Sequence, residues 1–500
     1  MGASLKSAIE RVLNEGYQLS PDAYDMLGQL GDPETAIESL LHSFELIPEK
    51  PLVIDKPHLE RMMVEVQARI AQNAATMMPA SPRAPSGENQ EKMQILLGSE
   101  SFSIAGTIDD FKTYFNNRFE KLQNILRARA DINSASTVSN IPHGERWCKV
   151  KAIGMVTSKR DFKDGTTQVV LEDTMDSVKV TFRGDDSLRN KVARLLVDEV
   201  VCVTGGTKTG RSIVADDIIW PDISTKLRGK LPSERTWAVL TSDVHIGSKM
   251  FMQAQFENFI RWMRGEEGEG MTSEIAKATK YLIIAGDLVD GVGVYPNQEE
   301  ELAITDLYKQ YEKAAEYLAM VPESVRIIII PGNHDACRPT LPTPPIYREY
   351  AEPIYSLNNV TMLGDPAEVI IEGATFLITH GRSLDDTIPA IPGCDFKNPQ
   401  KAMIELLRSR HIAPIYGEKT PLAPERVDRL VIDTVPDIFH AGHVHVEGIS
   451  EYRGVLAVNS GTWQSQTKFQ LSMGIAPKAG VVPVVDLSTM KFMELDFNFS

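Results

Sequence analysis

The spacing of apolar residues changes character several times along the chain, and each change marks a candidate domain. Residues 1–45 follow helical spacing at Leu5, Ile9, Val12 and Leu13. Ser20–Asp22 and Asp32–Glu34 each place a proline in the first turn of a further helix, the third carrying Ile37, Leu40 and Leu41. This predicts a small helical module of the kind that docks or decorates. Residues 46–105 read as a linker region: an extended Lys50–Pro57 stretch, a helical Met63–Ile70 stretch, then Pro79, Pro82 and Pro85 before Ser86–Asn89. Proline at that density supports no packed element, so disorder is expected over about 76–100. Thr107–Asp110 then forms a variant capping box, with Asp in place of Glu or Gln. Phe111, Phe115, Phe119, Leu122 and Leu126 follow at helical steps and read as a core stripe, predicting a helix over 106–130 that packs on the next domain.

Over 145–222 the period shortens. Lys149–Met155, Thr167–Leu171, Val178–Phe182, Val197–Val203 and Arg211–Ile219 read as strands, with Ser187–Leu196 as a helix between the third and fourth. Asp164–Gly165 and Gly205–Gly206 are candidate turns. Five short strands with one helix suggest an OB-type barrel. Its charge is nearly balanced, which suits protein docking at least as well as single-strand binding.

From 234 to 500, apolar strands alternate with helical segments, as in an α/β layered domain. Val239–Leu240, Leu282–Ile284, Ile327–Ile330, Phe376–Ile378 and Ile438–Phe439 each run straight into a polar or glycine-rich turn. Those turns carry the chemistry: Asp243 and His245, Gly286–Asp287, Gly332–Asp335, Thr379–Gly381, and Gly442–His445. Asp243, Asp287, Asn333 and His380 succeed one another at 44, 46 and 47 residues, room for one strand–helix unit each. Five of the ten histidines fall in these turns. Imidazole and carboxylate donors without thiolates suit Mn, Fe, Zn or Mg at an open site. A carboxylate such as Asp287 can bridge two divalent ions, which together polarise a phosphate and activate water. Glycines 286, 332, 381 and 442 let the backbone turn and approach closely.

Composition narrows the partners. Across 500 residues, 52 Lys+Arg against 68 Asp+Glu give a net charge of −16. Nucleic-acid binding by bulk charge is therefore excluded, and any contact with DNA is local, metal-assisted or shared with a partner. No apolar run could cross a membrane, the start of the chain lacks a signal-peptide pattern, and the four cysteines form no CxxC pair. A cytoplasmic protein without disulfides is expected.

The five turns together resemble the calcineurin-like metallophosphoesterases, including the Mre-type nucleases, over roughly residues 236 to 465. The resemblance implies a four-layer β-sandwich flanked by helices. It assigns Asp243, His245 and His445 to one metal and Asn333, His380 and His443 to the other, with Asp287 bridging. His334 would stabilise the charged phosphorane or protonate the leaving oxygen, and Asp335 would orient and charge it. Arg382 could clamp a phosphate or form a surface salt bridge. An OB-type barrel, a linker and a helical module ahead of such a domain resemble the small subunits of archaeal family D DNA polymerase. Thr379–Asp386, Arg410–Gly417, Phe439–His445 and Asn459–Gln466 agree with that family. The implied activity is a 3′-to-5′ proofreading exonuclease with two divalent ions, Mn2+ foremost, working beside a large polymerase subunit on single-stranded or mismatched 3′ ends. A sliding clamp is a further candidate partner, although the tail Asp496–Ser500 lacks a clamp-binding pattern. The alternatives are a catalytically idle structural subunit and a free-standing metallophosphatase. Related accessory subunits of the eukaryotic replicative polymerases have lost metal ligands, whereas every ligand position is filled here, which favours an active nuclease. His411, His440 and Trp463 are read as core or surface residues, and Gly265–Gly270 as a solvated acidic loop.

Overall fold

The computed structural model describes residues 12, 17–20, 22–24, 27, 37 and 53–54, and residues 93–498 apart from 101, 103, 143–145, 227–231, 233 and 473. The chain divides into two units, Met1–Gly87 and Glu88–Ser500. In the first, Val12, Ala23, Leu27 and Ile37 are fully buried helical residues. The Ser20 hydroxyl accepts from the Ala23 amide at 3.2 Å, the capping role its position predicts. Gln18–Leu19 pairs in parallel with Val53–Ile54. The proline cluster, and Leu5, Ile9, Leu13, Leu40 and Leu41, lie outside the described residues.

The second unit opens with a correction. Strand β1 (Met93–Leu97) lies inside the expected linker, yet it forms the edge of a six-stranded sheet, antiparallel to Ala367–Ile371. Its five residues show no alternation, and its partner lies some 270 residues away, so local pattern did not reveal it. Helix α1 (Ile108–Arg127) begins at the expected capping box: Thr107 Oγ1 accepts from the Asp110 amide at 3.2 Å, and Asp110 accepts from the Thr107 amide at 2.8 Å. Its stripe is core only in the second half. Phe119, Leu122 and Leu126 pack on Ile153, Val200 and Cys202, whereas Phe111 and Phe115 are half-buried against Tyr416. Tyr114 and Arg118 are buried in their stead.

The barrel comprises β2 (Cys148–Asp161), β3 (Thr167–Glu172), β4 (Ser177–Phe182), helix α2 (Asp186–Ala193), β5 (Val200–Thr207) and β6 (Ser212–Ile219). The strand order is β2-β3-β4-β6-β5, closed by β2 on β5, with β4 and β6 parallel. Alternate residues such as Val169, Leu171, Val180, Phe182, Val201 and Val203 fill its interior. Gly205–Gly206 is not the expected turn but lies within β5. A side chain at Gly205 would meet the Val214 carbonyl, and one at Gly206 the Trp147 ring, so the pair serves close approach. The turn falls at Lys208–Arg211, where Thr207 Oγ1 accepts from the Gly210 amide at 3.0 Å.

Two further sheets stack face to face. The first contains β7 (Trp237–Thr241), β8 (Thr279–Ala285), β9 (Arg326–Ile330) and β10 (Val360–Met362), all parallel, with β16 (Val481–Asp486) and β17 (Lys491–Asp496) added antiparallel beyond β7. The second contains β1, β11 (Ala367–Ile371), β12 (Ala374–Ile378), β13 (Ile438–Ala441), β14 (Gly448–Tyr452) and β15 (Val455–Asn459), in the order β14-β15-β13-β12-β11-β1. Between them, Leu240, Ile283, Ile328, Phe376, Ile378 and Val458 form a dry core. Side chains one residue out of phase, such as Val239, Leu282 and Ile327, face helices that include Gln253–Met263 and Leu307–Ala319. Leu377 and Phe439 face helix Pro399–Ser409 on the other side. Burial on both faces explains why these strands read as unbroken apolar runs. The outcome is a helix–sheet–sheet–helix layering. No helix among the described residues is long and apolar enough to cross a membrane.

Candidate metal centre

The turns after β7, β8, β9, β12 and β13 meet at one rim. Asn333 Oδ1 lies 3.1 Å from His380 Nε2, which lies 3.3 Å from Asp287 Oδ2. Asp287 Oδ2 lies 3.7 Å from His245 Nε2, itself 3.1 Å from His445 Nε2, and His445 Nε2 lies 3.2 Å from Asp243 Oδ1. Six of the seven expected ligands are thus linked by contacts between their donor atoms. His443 sits beside them, its ring centre 5.1 Å from that of His380, but its Nε2 faces Asp385 Oδ2 at 3.1 Å.

The backbone is bent to bring this about. Asp243, His245, Asp287, His443 and His445 all have positive φ, between 51° and 71°. Non-glycine residues rarely adopt that conformation, and it recurs where function demands it. Gly286 and Gly332 complete the packing: a Cβ on Gly332 would fall 2.1 Å from Asp287 Oδ1, and one on Gly286 2.5 Å from His380 Nδ1.

The histidines are held by their far nitrogens. His245 Nδ1 lies 2.9 Å from Asp290 Oδ1, His380 Nδ1 2.8 Å from the Ala285 carbonyl, and the Gln470 amide 2.7 Å from His445 Nδ1. Such outer contacts orient metal-binding imidazoles. Asp243 and Asp287 are buried, and among the described residues Asp243 Oδ1 accepts no well-aligned hydrogen bond, facing only His445 Nε2 at 3.2 Å. Burial disfavours the Asp243 carboxylate, but His445 and His380 more than offset this and hold its pKa down at about 2. Burial likewise works against a charged His380, yet Asp287 and Asp243 push its pKa up to about 10. Without a metal, a proton on His380 supplies the positive charge that these buried carboxylates require. A buried carboxylate oxygen that faces only an imidazole nitrogen, amid further inward-facing imidazoles, fits divalent cations.

His334 lies beside the cluster, its Nε2 4.0 Å from Asp287 Oδ2 and its ring centre 4.7 Å from that of His245, close enough for the three to share an ion. Its orienting partner is not Asp335. His334 Nδ1 lies 2.7 Å from the Asp290 carbonyl, while the buried Asp335 carboxylate accepts from the amides of Gly332, Leu288 and Val289. Burial, reinforced by Asp287, pushes the Asp335 pKa up to about 6. Asp335 therefore ties the two ligand-bearing turns together, which chain adjacency to His334 did not reveal. The Arg382 guanidinium bonds the Pro339 carbonyl and lines a side cavity with Asn333 and His334. Asp290, Asp385, Gln464 and Gln470 escaped the sequence reading. Asp290 and Gln464 lay beside motifs already singled out, three residues past Asp287 and one past Trp463. His411 is buried and bonded to Asp428, and His440 is buried behind the cluster, bonded to Ser460 and within reach of the Asp243 charge. Trp463 is a core residue, its indole donating to Thr241 Oγ1 at 2.8 Å.

The family model for the B subunit of DNA polymerases alpha and epsilon matches residues 238–447, the stretch that carries most of the cluster. The chain is thus similar there to the B-type accessory subunits of DNA polymerases. The DNA polymerase II small subunit of Methanothermobacter thermautotrophicus is 36% identical over 494 residues, spanning 98% of this chain and 100% of that one. That of Archaeoglobus fulgidus is 39% identical over 488 residues, spanning 95% and 94%. The chain belongs to the family of archaeal DNA polymerase II small subunits, the family D enzymes. Those relatives are named as the small subunit of a DNA polymerase. A solved archaeal phosphodiesterase aligns with 52% of this chain and 99% of its own at 15% identity and a TM-score of 0.28, too weak a likeness to bear on the fold.

Proposed function

We propose that this subunit is a metal-dependent 3′-to-5′ exonuclease that removes nucleotides from single-stranded or mismatched DNA ends presented by the large polymerase subunit. The supporting observation is the continuous set of donor atoms from Asn333 through His380, Asp287, His245 and His445 to Asp243 Oδ1. In this reading the barrel is an OB-type domain over 145–222, and the stacked sheets form a calcineurin-like phosphoesterase domain over 234–500. Residues 1–45 form a separate docking module.

Asp243, His245 and His445 would hold one divalent ion, Asn333, His380 and His443 the other, and Asp287 both; Mn2+ suits these donors. Bound there, such ions polarise a phosphate and make water nucleophilic near neutral pH. The chain's own groups do the rest. His334, its Nδ1 fixed by the Asp290 carbonyl, can present a proton at Nε2 to the leaving 3′ oxygen or steady the charge on phosphorus. Asp335 keeps the Asp287 and Asn333 turns in register by holding both backbones.

The test is digestion of a 5′-labelled single strand with Mn2+ by the assembled polymerase. His334→Ala should lower turnover by about 10²–10⁴-fold while Mn2+ still binds. A wild-type assembly that leaves the strand intact under these conditions makes the subunit a scaffold.

A further inference from the structure

Two cavities flank His334, sharing it and Asn333. The larger, about 530 Å³, holds most of the cluster, and its remaining wall includes Tyr295, Pro296, Phe396, Val444 and Ile475. Among the described residues, neither lysine nor arginine lines it, whereas the carboxylates of Glu301 and Asp385 do. The smaller, about 410 Å³, contains Arg382 together with Val292 and Val294. A DNA strand running through the site therefore meets different chemistry on either side of the reacting phosphate. Backbone phosphates are favoured on the Arg382 side and disfavoured by Glu301 and Asp385 on the other.

The acidic side, with its aromatic wall, is suited to a nucleoside. Tyr295 is more than a third exposed although aromatic, as are its neighbours Val292 and Val294 in the loop between β8 and Leu307–Ala319. Its hydroxyl donates to Glu301 Oε2 at 2.9 Å, and its ring centre lies 6.2 Å from that of His334. Phe396 is anchored in the outer core and still lines the cavity. Aromatic faces beside a phosphate site bind bases by stacking, without regard to sequence.

We propose that the larger cavity is a subsite for one terminal nucleotide, its unstacked base held against Tyr295 and Phe396. Its free 3′-hydroxyl is tolerated beside Glu301 and Asp385, where a 3′-phosphate would be repelled. The rest of the strand leaves past Arg382. This rests on the exonuclease reading for its orientation, but the base contact can be measured without turnover.

The experiment titrates dAMP and deoxyribose 5-phosphate into the full chain with Mn2+, by calorimetry. The wild type should bind dAMP about tenfold more tightly, as expected for a stacked base. Tyr295→Ala should erase most of that preference, and Tyr295→Phe should keep it. Equal binding of the two ligands, or a preference that survives in Tyr295→Ala, overturns the subsite whatever the turnover. In parallel, the polymerase assembly is given strands ending in a 3′-hydroxyl or a 3′-phosphate. Cleavage of the hydroxyl end at least about tenfold faster supports the proposal, and equal rates contradict the repulsion it invokes. If neither strand is cut while dAMP is still preferred through Tyr295, the nuclease reading fails and the base subsite stands.

Discussion

Asp290 offers a sharp probe of the candidate centre, because it touches two of its histidines through different atoms. Its buried carboxylate holds His245 Nδ1 at 2.9 Å and also accepts from Gln464 at 3.1 Å and Gln298 at 3.3 Å. Its backbone carbonyl holds His334. Burial works against the carboxylate's charge, but the bond to His245 keeps its pKa below the usual range, so it is ionised. Asp290→Asn keeps an acceptor but removes the charge. A charged hydrogen bond is worth about twice a neutral one, so His245 loses about 1.4 kcal/mol of support. Metal affinity should fall about tenfold, at the lower edge of the effect of outer contacts. Asp290→Ala leaves His245 Nδ1 without its partner, while Gln464 keeps Ser248 and Gln298 keeps the Asp290 backbone carbonyl, and the loss should approach about 100-fold. Both variants keep the backbone carbonyl, so at saturating Mn2+ turnover should stay close to wild type. Calorimetric Mn2+ titration of the full chain measures the first effect and strand digestion in excess Mn2+ the second. An Asp290→Asn protein that binds Mn2+ as tightly as wild type would refute the claim that this carboxylate supports the site through His245.

Other outcomes follow from the same geometry. Metal loading should expel the His380 proton, so that below pH 10 apparent Mn2+ affinity rises by up to about tenfold per pH unit; calorimetry in buffers of different ionisation enthalpy counts the protons. His411 is buried and held down to about 4, chiefly by burial and then by Arg118. It is neutral when folded but gains a proton on unfolding below about 6.5, so its contribution is complete above that pH and is lost as pH falls toward 4, some 3 kcal/mol in all. Denaturant titrations from pH 4 to 7 should show a shallower slope in His411→Gln. Arg118 is fully buried and bonds Asp428, Tyr114 and the Pro414 carbonyl. Arg118→Ala strands part of that network and should cost about 3 kcal/mol or more in urea unfolding, while Arg118→Met should lose less than a simple charge count implies.

The strands that bear the ligands were legible because burial on both faces leaves an unmistakable apolar run, and the ligands sit where each run stops. Ile327–Ile330 followed at once by Gly332–Asp335 needs no knowledge of the partners. What escaped the sequence was non-local. Met93–Leu97 earns its place in a sheet only by pairing with Ile371 and its neighbours. The burial of Arg118 follows from Asp428 and His411, about 300 residues on, which no helical periodicity announces. Asp335 was misread for another reason. The family resemblance paired it with His334, but the turn sends the two side chains in different directions, one to backbone amides and one into the cavity. Gly205–Gly206 shows the same ambiguity, since a glycine pair marks a turn and a close approach alike, and only the positions of Trp147 and Val214 decide.

The conformation of the ligand residues bears on whether the centre is used. Five of them hold positive φ, at about 1–2 kcal/mol each for a side chain with a Cβ. Together that is comparable with the whole net stability of a typical domain. Such turns persist only if neighbouring structure fixes them, and here the turns fix one another. The Asp243 amide donates to the Gly286 carbonyl and the His245 amide to the Asp287 carbonyl, at 2.9 and 3.0 Å. The Asp243 carbonyl accepts from Trp463 and Thr462, and Asp243 Oδ2 accepts from the His443 amide. Trp463 in turn is packed among Phe256, Phe259 and Phe497 in the outer core. Seven other non-glycine residues among those described hold positive φ, none of them a ligand candidate; what is particular here is that five such residues converge on one rim. A fold that carries several kcal/mol of local strain to point imidazoles and carboxylates at one another supports the reading that the cluster binds and uses metal.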